Sequence, residues 1–112
     1  MFSRGKNGAL YCSQPDTLLF NDIPEDEKAK WLSTLKPQPG QGWDDVVSYT
    51  GWKDVPSTYL ICEEDRALPV QLQEQLAGLA SSKIERCSSG HVPQVSEPRR
   101  VMEVIKSAII LS

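Results

Sequence analysis

Residues 57–91 read STYLICEEDRALPVQLQEQLAGLASSKIERCSSGH and carry the clearest fold signal in the chain. Residues 58–62 are β-prone and almost continuously apolar, which is typical of a strand covered on both faces. Residues 83–87 alternate apolar and polar side chains and fit a second, shorter strand. A helix-forming stretch separates them, so the pattern predicts two parallel strands joined by a helical crossover.

Two helices complete this β-α-β-α unit. The first is predicted over residues 69–80, opened by Pro69, and the second begins at Pro98. Each has an apolar stripe at helical spacing, and we expect both stripes to pack on the sheet. The stripe of the first helix contains Leu72, Leu76 and Leu79, and that of the second contains Val101, Val104, Ile105, Ala108 and Ile109.

The signals before this unit are weaker and divide the chain into three parts. Residues 1–14 lack periodicity and are predicted to be an irregular terminus. Residues 15–52 form a cap-like segment, which we separate from the β-α-β-α part at residues 53–112.

The cap-like segment contains one clear helix. It is predicted over residues 24–35, with Asp22 as the candidate N-cap, and ends at the Pro- and Gly-rich stretch 36–42. Residues 43–52 fit either a short helix or an extended piece.

Composition restricts the partners of the chain. A formal charge of −3 and a pI near 5.1 without a basic stripe argue against nucleic acid as a partner. The apolar runs are far shorter than the roughly 20 residues that span a bilayer, so we expect no membrane partner. The first residues show no apolar secretory segment, and the expected location is cytoplasmic.

The cysteine pattern points to reduced thiols. Cys12, Cys62 and Cys87 are an odd and sparse set, and none forms a C-x-x-C pair. Cys87 and His91 have a C-x3-H spacing that would supply half a metal site, but the chain has a single histidine and no second ligand pair. We therefore expect neither a metal nor another cofactor.

Polar residues follow both predicted strands. Residues 63–65 are Glu-Glu-Asp, and residues 88–91 are Ser-Ser-Gly-His. If the strands are adjacent and parallel, both loops lie at the carboxyl-terminal edge of the sheet, where α/β proteins place their ligands. A carboxylate there could orient the histidine as a general base, although a lone histidine near a glycine also fits a surface or capping residue.

Three stretches resemble the C-terminal half of α/β-hydrolases, nearest to the methylesterase and hydroxynitrile-lyase-like branch and its fungal relatives. They are the segment from Leu19-Phe20-Asn21-Asp22 through Trp31, residues 55–69 with Glu64-Asp65-x-x-x-Pro69, and Gly90-His91-Val92-Pro93 with Ser96-Glu97-Pro98. The resemblance covers roughly residues 15–112. It implies a partial α/β-hydrolase fold in which a cap-type helix precedes a β-α-β-α unit with parallel strands.

The resemblance also implies roles for two residues. Asp65 falls on the acid and His91 on the base of a Ser-Asp-His triad, in the order that hydrolases use. Their expected separation is about 2.6–3.2 Å. The substrate of the completed protein would be a small ester-like molecule.

The nucleophile motif G-x-S-x-G and the earlier oxyanion loop of the family are not among these 112 residues. Ser88-Ser89-Gly90 lacks the first glycine and follows the acid instead of preceding it. Three interpretations stay open: the acid–base half of a hydrolase, a non-catalytic remnant that binds a partner or apolar ligand, and an unrelated small binding domain. Because two parallel strands cannot complete a core, we expect a marginally stable chain whose uncovered sheet edge favours self-association.

Overall fold

A computed structural model describes residues 2–111. The strands are β1 (Phe2–Arg4), β2 (Leu10–Cys12), β3 (Thr58–Cys62) and β4 (Lys83–Cys87). The α-helices are α1 (Pro15–Leu18), α2 (Glu25–Ser33), α3 (Val70–Leu79), α4 (Pro93–Ser96) and α5 (Pro98–Leu111), and a single 3-10 turn spans Gly51–Lys53.

Strands β3 and β4 form the parallel pair that the sequence predicts. Their register runs from Thr58 opposite Lys83 to Cys62 opposite Cys87, and α3 connects them. Ile61, Cys62 and Cys87 are buried, so the centre of this half of the core lies at the carboxyl-terminal end of the pair. That end is where the two polar loops begin.

Helix α3 buries a different face from the predicted one. Its buried residues are Gln73 and Ala77, whereas Leu72, Leu76 and Leu79 are exposed, Leu79 by 83%. Ala77 is fully buried because its small side chain lets the helix approach β3 closely, and Gln73 bonds to the end of that strand. The leucine stripe lies to one side of this contact.

Helix α5 has the predicted position, but much of its apolar stripe is uncovered. Val101 and Val104 are half-buried, whereas Ile105 and Ile109 are exposed by 55% and 66%. A pair of strands offers too narrow a surface to cover a 14-residue helix whose apolar stripe runs along its whole length. The expectation that Ile105 and Ile109 pack on the sheet is therefore wrong for this chain.

The amino-terminal residues are predicted to be irregular, but the structure shows regular strands there. Strands β1 and β2 form an antiparallel hairpin, closed by a turn in which Gly5 N donates to Ala9 O over 2.8 Å. Gly8 makes this turn possible because its φ of +79° lies in the left-handed region that side chains disfavour. Strands of three residues are too short for an alternating pattern to be recognised, which explains the difference.

Helix α2 agrees with the helix predicted over residues 24–35, although it runs from Glu25 to Ser33. Its N-cap position is Pro24, and Asp22 does not cap it. Instead the segment before the helix is anchored by buried Phe20 and Ile23. Residues 43–52 are neither a regular helix nor a strand, since the only element there is the start of the 3-10 turn.

Among residues 2–111, no helix combines the length and apolarity needed to cross a lipid bilayer.

Candidate active site

Asp65 lies in the loop after β3 and is held from two sides. Its Oδ1 accepts the backbone N–H groups of Ala67 and Leu68 over 2.8 and 3.0 Å, closing a tight turn around the carboxylate. Its Oδ2 lies 2.9 Å from Nδ1 of His91, and its side chain is only 4% exposed. The backbone of the loop thus holds one carboxylate oxygen, and the imidazole contacts the other.

His91 lies in the loop after β4, and its imidazole is 26% exposed. A carboxylate can only accept, so the short contact with Asp65 places the ring proton on Nδ1. Nε2, on the other side of the ring, is then the nitrogen that can accept a proton. The separation of 2.9 Å confirms the expected geometry, while the catalytic roles of the two residues stay predictions.

The two loops are joined through their backbones. Glu63 N donates to Cys87 O and Glu64 N donates to Ser89 O, each over 3.0 Å. These bonds continue the β3–β4 pairing beyond the last strand residues. The parallel register therefore brings Asp65 and His91 together, as expected for loops at one edge of a parallel sheet.

An open cleft of about 310 Å³ lies beside the pair, along β3. Tyr59, Leu68, His91 and Pro93 are among the residues that line it. A base that faces an open cleft can take a proton from a group placed there.

The serines near His91 are engaged elsewhere. Ser89 is buried, and its hydroxyl donates to Gly90 O over 2.9 Å. Ser88 is exposed and points toward Glu97 Oε1 at 3.4 Å. Neither arrangement makes these serines the partner of the imidazole.

Three polar residues that the sequence did not single out for this site support it. The Asn21 and Asp22 side chains reach the two loops from the cap-like segment, and Gln73 reaches the loop of Asp65 from α3. Gln73 accepts from Cys62 N and donates to Cys62 O and Leu68 O, with all three distances between 2.8 and 2.9 Å. A polar residue on an otherwise apolar helix face was the signal available for Gln73.

Comparison with known proteins identifies the family. The family model described as "Alpha/beta hydrolase family" matches residues 3–104. The chain belongs to the α/β-hydrolase family. This membership rules out the interpretation as an unrelated small domain.

A curated relative and a solved structure agree with this. The chain is 39% identical over 94 residues to the "Alpha/beta hydrolase nvfD" of Aspergillus novofumigatus (strain IBT 16806). It superposes on the crystal structure of polyneuridine aldehyde esterase with a TM-score of 0.76 at 16% sequence identity, over 96% of this chain. At that identity the second match shows a shared fold alone.

This α/β-hydrolase chain spans only part of both proteins. The match covers 81% of the chain but 37% of the Aspergillus relative, and the superposition covers 48% of the esterase chain. The fold is therefore a partial α/β-hydrolase fold.

The cysteines of this α/β-hydrolase chain are free. Cys62 and Cys87 are buried in register on β3 and β4, with sulfur atoms 3.8 Å apart, and Cys12 is half-buried. Cys87 thus contacts Cys62 while His91 contacts Asp65, so the C-x3-H spacing does not join the two. Within residues 2–111 no group of three or more His, Cys, Asp or Glu is placed to hold a metal ion.

Cys62 is expected to resist alkylation in the folded chain. Burial raises the pKa of its thiol to about 12, a hydrogen bond with Ser89 opposes the rise, and Cys87 adds to it. At pH 8 only about one such thiol in ten thousand is ionised, and the thiolate is the reactive form. Mass spectrometry after iodoacetamide treatment should show Cys12 labelled first and Cys62 only after denaturation.

The raised pKa of Cys62 also predicts how the stability of the chain changes with pH in the alkaline range. Between pH 9 and 12 the unfolded Cys62 thiol ionises while the folded one keeps its proton, so the free energy of unfolding should fall with rising pH.

Rapid labelling of Cys62 in the folded chain at pH 8 would contradict the assignment of a buried, protonated thiol.

Proposed function

We propose that this chain supplies the acid and the histidine of a Ser-Asp-His triad in an ester hydrolase, with Asp65 as the acid and His91 as the base. The nucleophile and the oxyanion donors would come from sequence outside these 112 residues. The observation that carries the proposal is the 2.9 Å contact between Asp65 and His91 at the carboxyl-terminal end of adjacent parallel strands.

The arrangement suits the base half of acyl transfer. His91 Nε2 would take the proton of the attacking serine hydroxyl as its oxygen bonds to the ester carbonyl carbon. The proton would then pass from Nε2 to the departing alcohol oxygen as the ester bond breaks. Asp65 would hold the Nδ1–H tautomer and stabilise the imidazolium between these two transfers.

The two outer edges of the strand pair suggest where the rest of the sheet belongs. On the outer side of β4, Arg100 Nε donates to Arg86 O over 3.1 Å, and its guanidinium also bonds Glu85. A long charged side chain lying along a strand is typical of a true sheet edge. This favours β4 as the last strand of the complete sheet.

The outer edge of β3 is different. Ser57 O and Glu63 N bond toward β4, so the alternating geometry of a strand directs the backbone groups of Thr58 and Leu60 away from it. Gln73 occupies this side only at Cys62. We infer that the nucleophile-bearing part pairs along β3, and that without it this edge lets copies of the chain associate.

A second candidate function is a non-catalytic binding module. The segment 43–55 exposes several large apolar side chains, the feature that favours it. They are Trp43, Val46, Val47, Tyr49, Trp52 and Val55, all at least half exposed. In the hydrolase interpretation the same surface belongs to a cap that faces the missing part of the protein. The exposed surface therefore fits both candidates, and they differ in whether the completed protein is active.

Complementation tests the proposal. The chain would be co-expressed with the part of the Aspergillus relative that lies outside the matched segment, and p-nitrophenyl acetate and longer acyl esters would be offered. We expect saturable hydrolysis that requires both polypeptides and is lost with His91→Ala. A stable complex without hydrolysis would favour the binding module instead.

The isolated chain should not hydrolyse esters faster than free imidazole does. A histidine without a positioned nucleophile and oxyanion hole has little differential hold on the transition state. The measurement is the initial rate with p-nitrophenyl acetate against an equal concentration of imidazole. Saturable activity of the chain alone, abolished by His91→Ala, would show that an unrecognised nucleophile lies within it.

A further inference from the structure

We propose that Asn21 and Asp22 are positioning residues that clamp the two loops of the catalytic pair from the cap-like segment. The inference rests on the proposed function, since the residues positioned are Asp65 and His91. Asn21 and Asp22 would touch neither substrate nor reacting atoms and would act through the backbone of these loops.

Each side chain bonds the residue immediately before a member of the pair. Asn21 Nδ2 donates to Glu64 O over 2.9 Å, one residue before Asp65. Gly90 N donates to Asp22 Oδ2 over 2.7 Å, one residue before His91. Neighbouring residues of one segment thus hold loops that follow two different strands.

Buried apolar residues fix the backbone that carries Asn21 and Asp22. Phe20 and Ile23, on either side of the two polar residues, are 5% and 4% exposed and are the buried apolar residues of this segment. Their burial fixes the backbone from which Asn21 and Asp22 extend. The cap-like segment is thereby coupled to the loops across 43 and 68 residues of chain.

Gly90 is shaped to receive the clamp. A Cβ at this position would lie 2.8 Å from Asp22 Oδ1 and closer still to Asn21 Oδ1. Only glycine lets both side chains approach the loop backbone this closely. The φ of Gly90 is outside the left-handed region, so the backbone conformation alone does not require glycine here. The close approach of the Asn21 and Asp22 side chains does require it.

The clamp also has an energetic cost. Asn21 Oδ1 and Asp22 Oδ1 are buried, and within the described chain neither has a hydrogen-bond partner. Buried polar atoms without partners are rare, and each one costs free energy. Their presence here fits a role in holding geometry, since shifts of about 1 Å in a catalytic group lower rates strongly.

The test follows the imidazole proton directly. His91 is the only histidine in the chain, so labelling histidine with ¹⁵N gives one Nδ1–H resonance, observable in the chain alone or bound to its unlabelled complement. The variants are Asn21→Asp, Asp22→Ala and Asp22→Asn, with Asp26→Ala at an exposed position of α2 as the control. Exchange of this proton with solvent is measured, and uniformly ¹⁵N-labelled protein reports exchange of the Gly90 amide and the signals of the strand amides.

Asn21→Asp keeps the size of the side chain but turns an acceptor toward Glu64 O, and Asp22→Ala removes the acceptor of Gly90 N–H. Both should speed exchange of the Nδ1 proton about tenfold, which corresponds to the loss of one hydrogen bond of about 1.4 kcal/mol. Asp22→Asn retains a carbonyl oxygen and should restore slow exchange, and Asp26→Ala should leave it unchanged.

Unchanged exchange in Asn21→Asp and Asp22→Ala would overturn the proposal. Loss of the dispersed β3 and β4 amide signals in Asn21→Asp would also overturn the proposal. Such a loss would mean that Asn21 is needed for the whole fold and not specifically for the two loops. The readout needs no nucleophile, so it stands apart from complementation. Ester hydrolysis can fail while the clamp is confirmed, and the reverse can also occur.

Discussion

Replacing the carboxylate of Asp65 by an amide should lower kcat of the completed enzyme by about 10⁴-fold, the effect known for the acid of a serine-protease triad. In Asp65→Asn the amide oxygen can still accept from Ala67 and Leu68 N–H. The amide nitrogen then faces His91 Nδ1 as a donor. The imidazole must move its proton to Nε2, where it can no longer accept the serine proton.

The measurement is kcat with p-nitrophenyl acetate on the complemented chain. The control is Asp54→Asn, which makes the same replacement at an exposed position. The loop structure should survive in Asp65→Asn, and the exchange of the Ala67 and Leu68 amides reports on it. Activity within tenfold of the unmodified protein, with those amides still protected, would exclude Asp65 as the triad acid.

The largest effect on stability is expected from Gln73→Leu. Leucine has a similar size but leaves Cys62 N, Cys62 O and Leu68 O without the partners that the glutamine supplies. Cys62 N is then left unpaired, and Cys62 O keeps only the longer 3.3 Å bond from Asp65 N. A buried backbone group left unpaired costs about 1–3 kcal/mol, so the loss should be at least of that size. A chain with so small a core has little stability to lose, and we expect it to unfold at room temperature.

Gln75→Leu is the matched control, because Gln75 lies on the exposed side of the same helix. Circular dichroism during thermal and urea unfolding compares the two variants. Equal midpoints for Gln73→Leu and Gln75→Leu would mean that the glutamine contacts at Cys62 contribute nothing to stability.

The elements that the sequence predicts correctly are those with local causes. Residues 58–62 and 83–87 are strands in the structure, and the helices predicted from 69 and 98 begin within one residue of those positions. Apolar periodicity, proline and glycine act over a few residues and are visible without tertiary structure. The Asp65–His91 contact also followed, because the ends of adjacent parallel strands meet at one edge.

Which face of a helix is buried was decided by the tertiary structure. The leucine stripe of α3 predicts its own burial, yet Gln73 and Ala77 face the sheet. An apolar stripe shows that a helix needs a partner, but the shape of the partner selects the face. Here the partner consists of only two strands, and it leaves the stripes of α3 and α5 partly uncovered.

The sequence by itself determined the β-α-β-α order, the strand limits, and the meeting of Asp65 with His91, since these follow from local propensity and parallel pairing. Only the tertiary structure decided the contacts of Asn21 and Asp22. Local sequence predicts Asp22 as the cap of α2, but its oxygen bonds Gly90 N, 68 residues away. A side chain with several possible partners follows the one that folding brings within reach, and no local pattern contains that information.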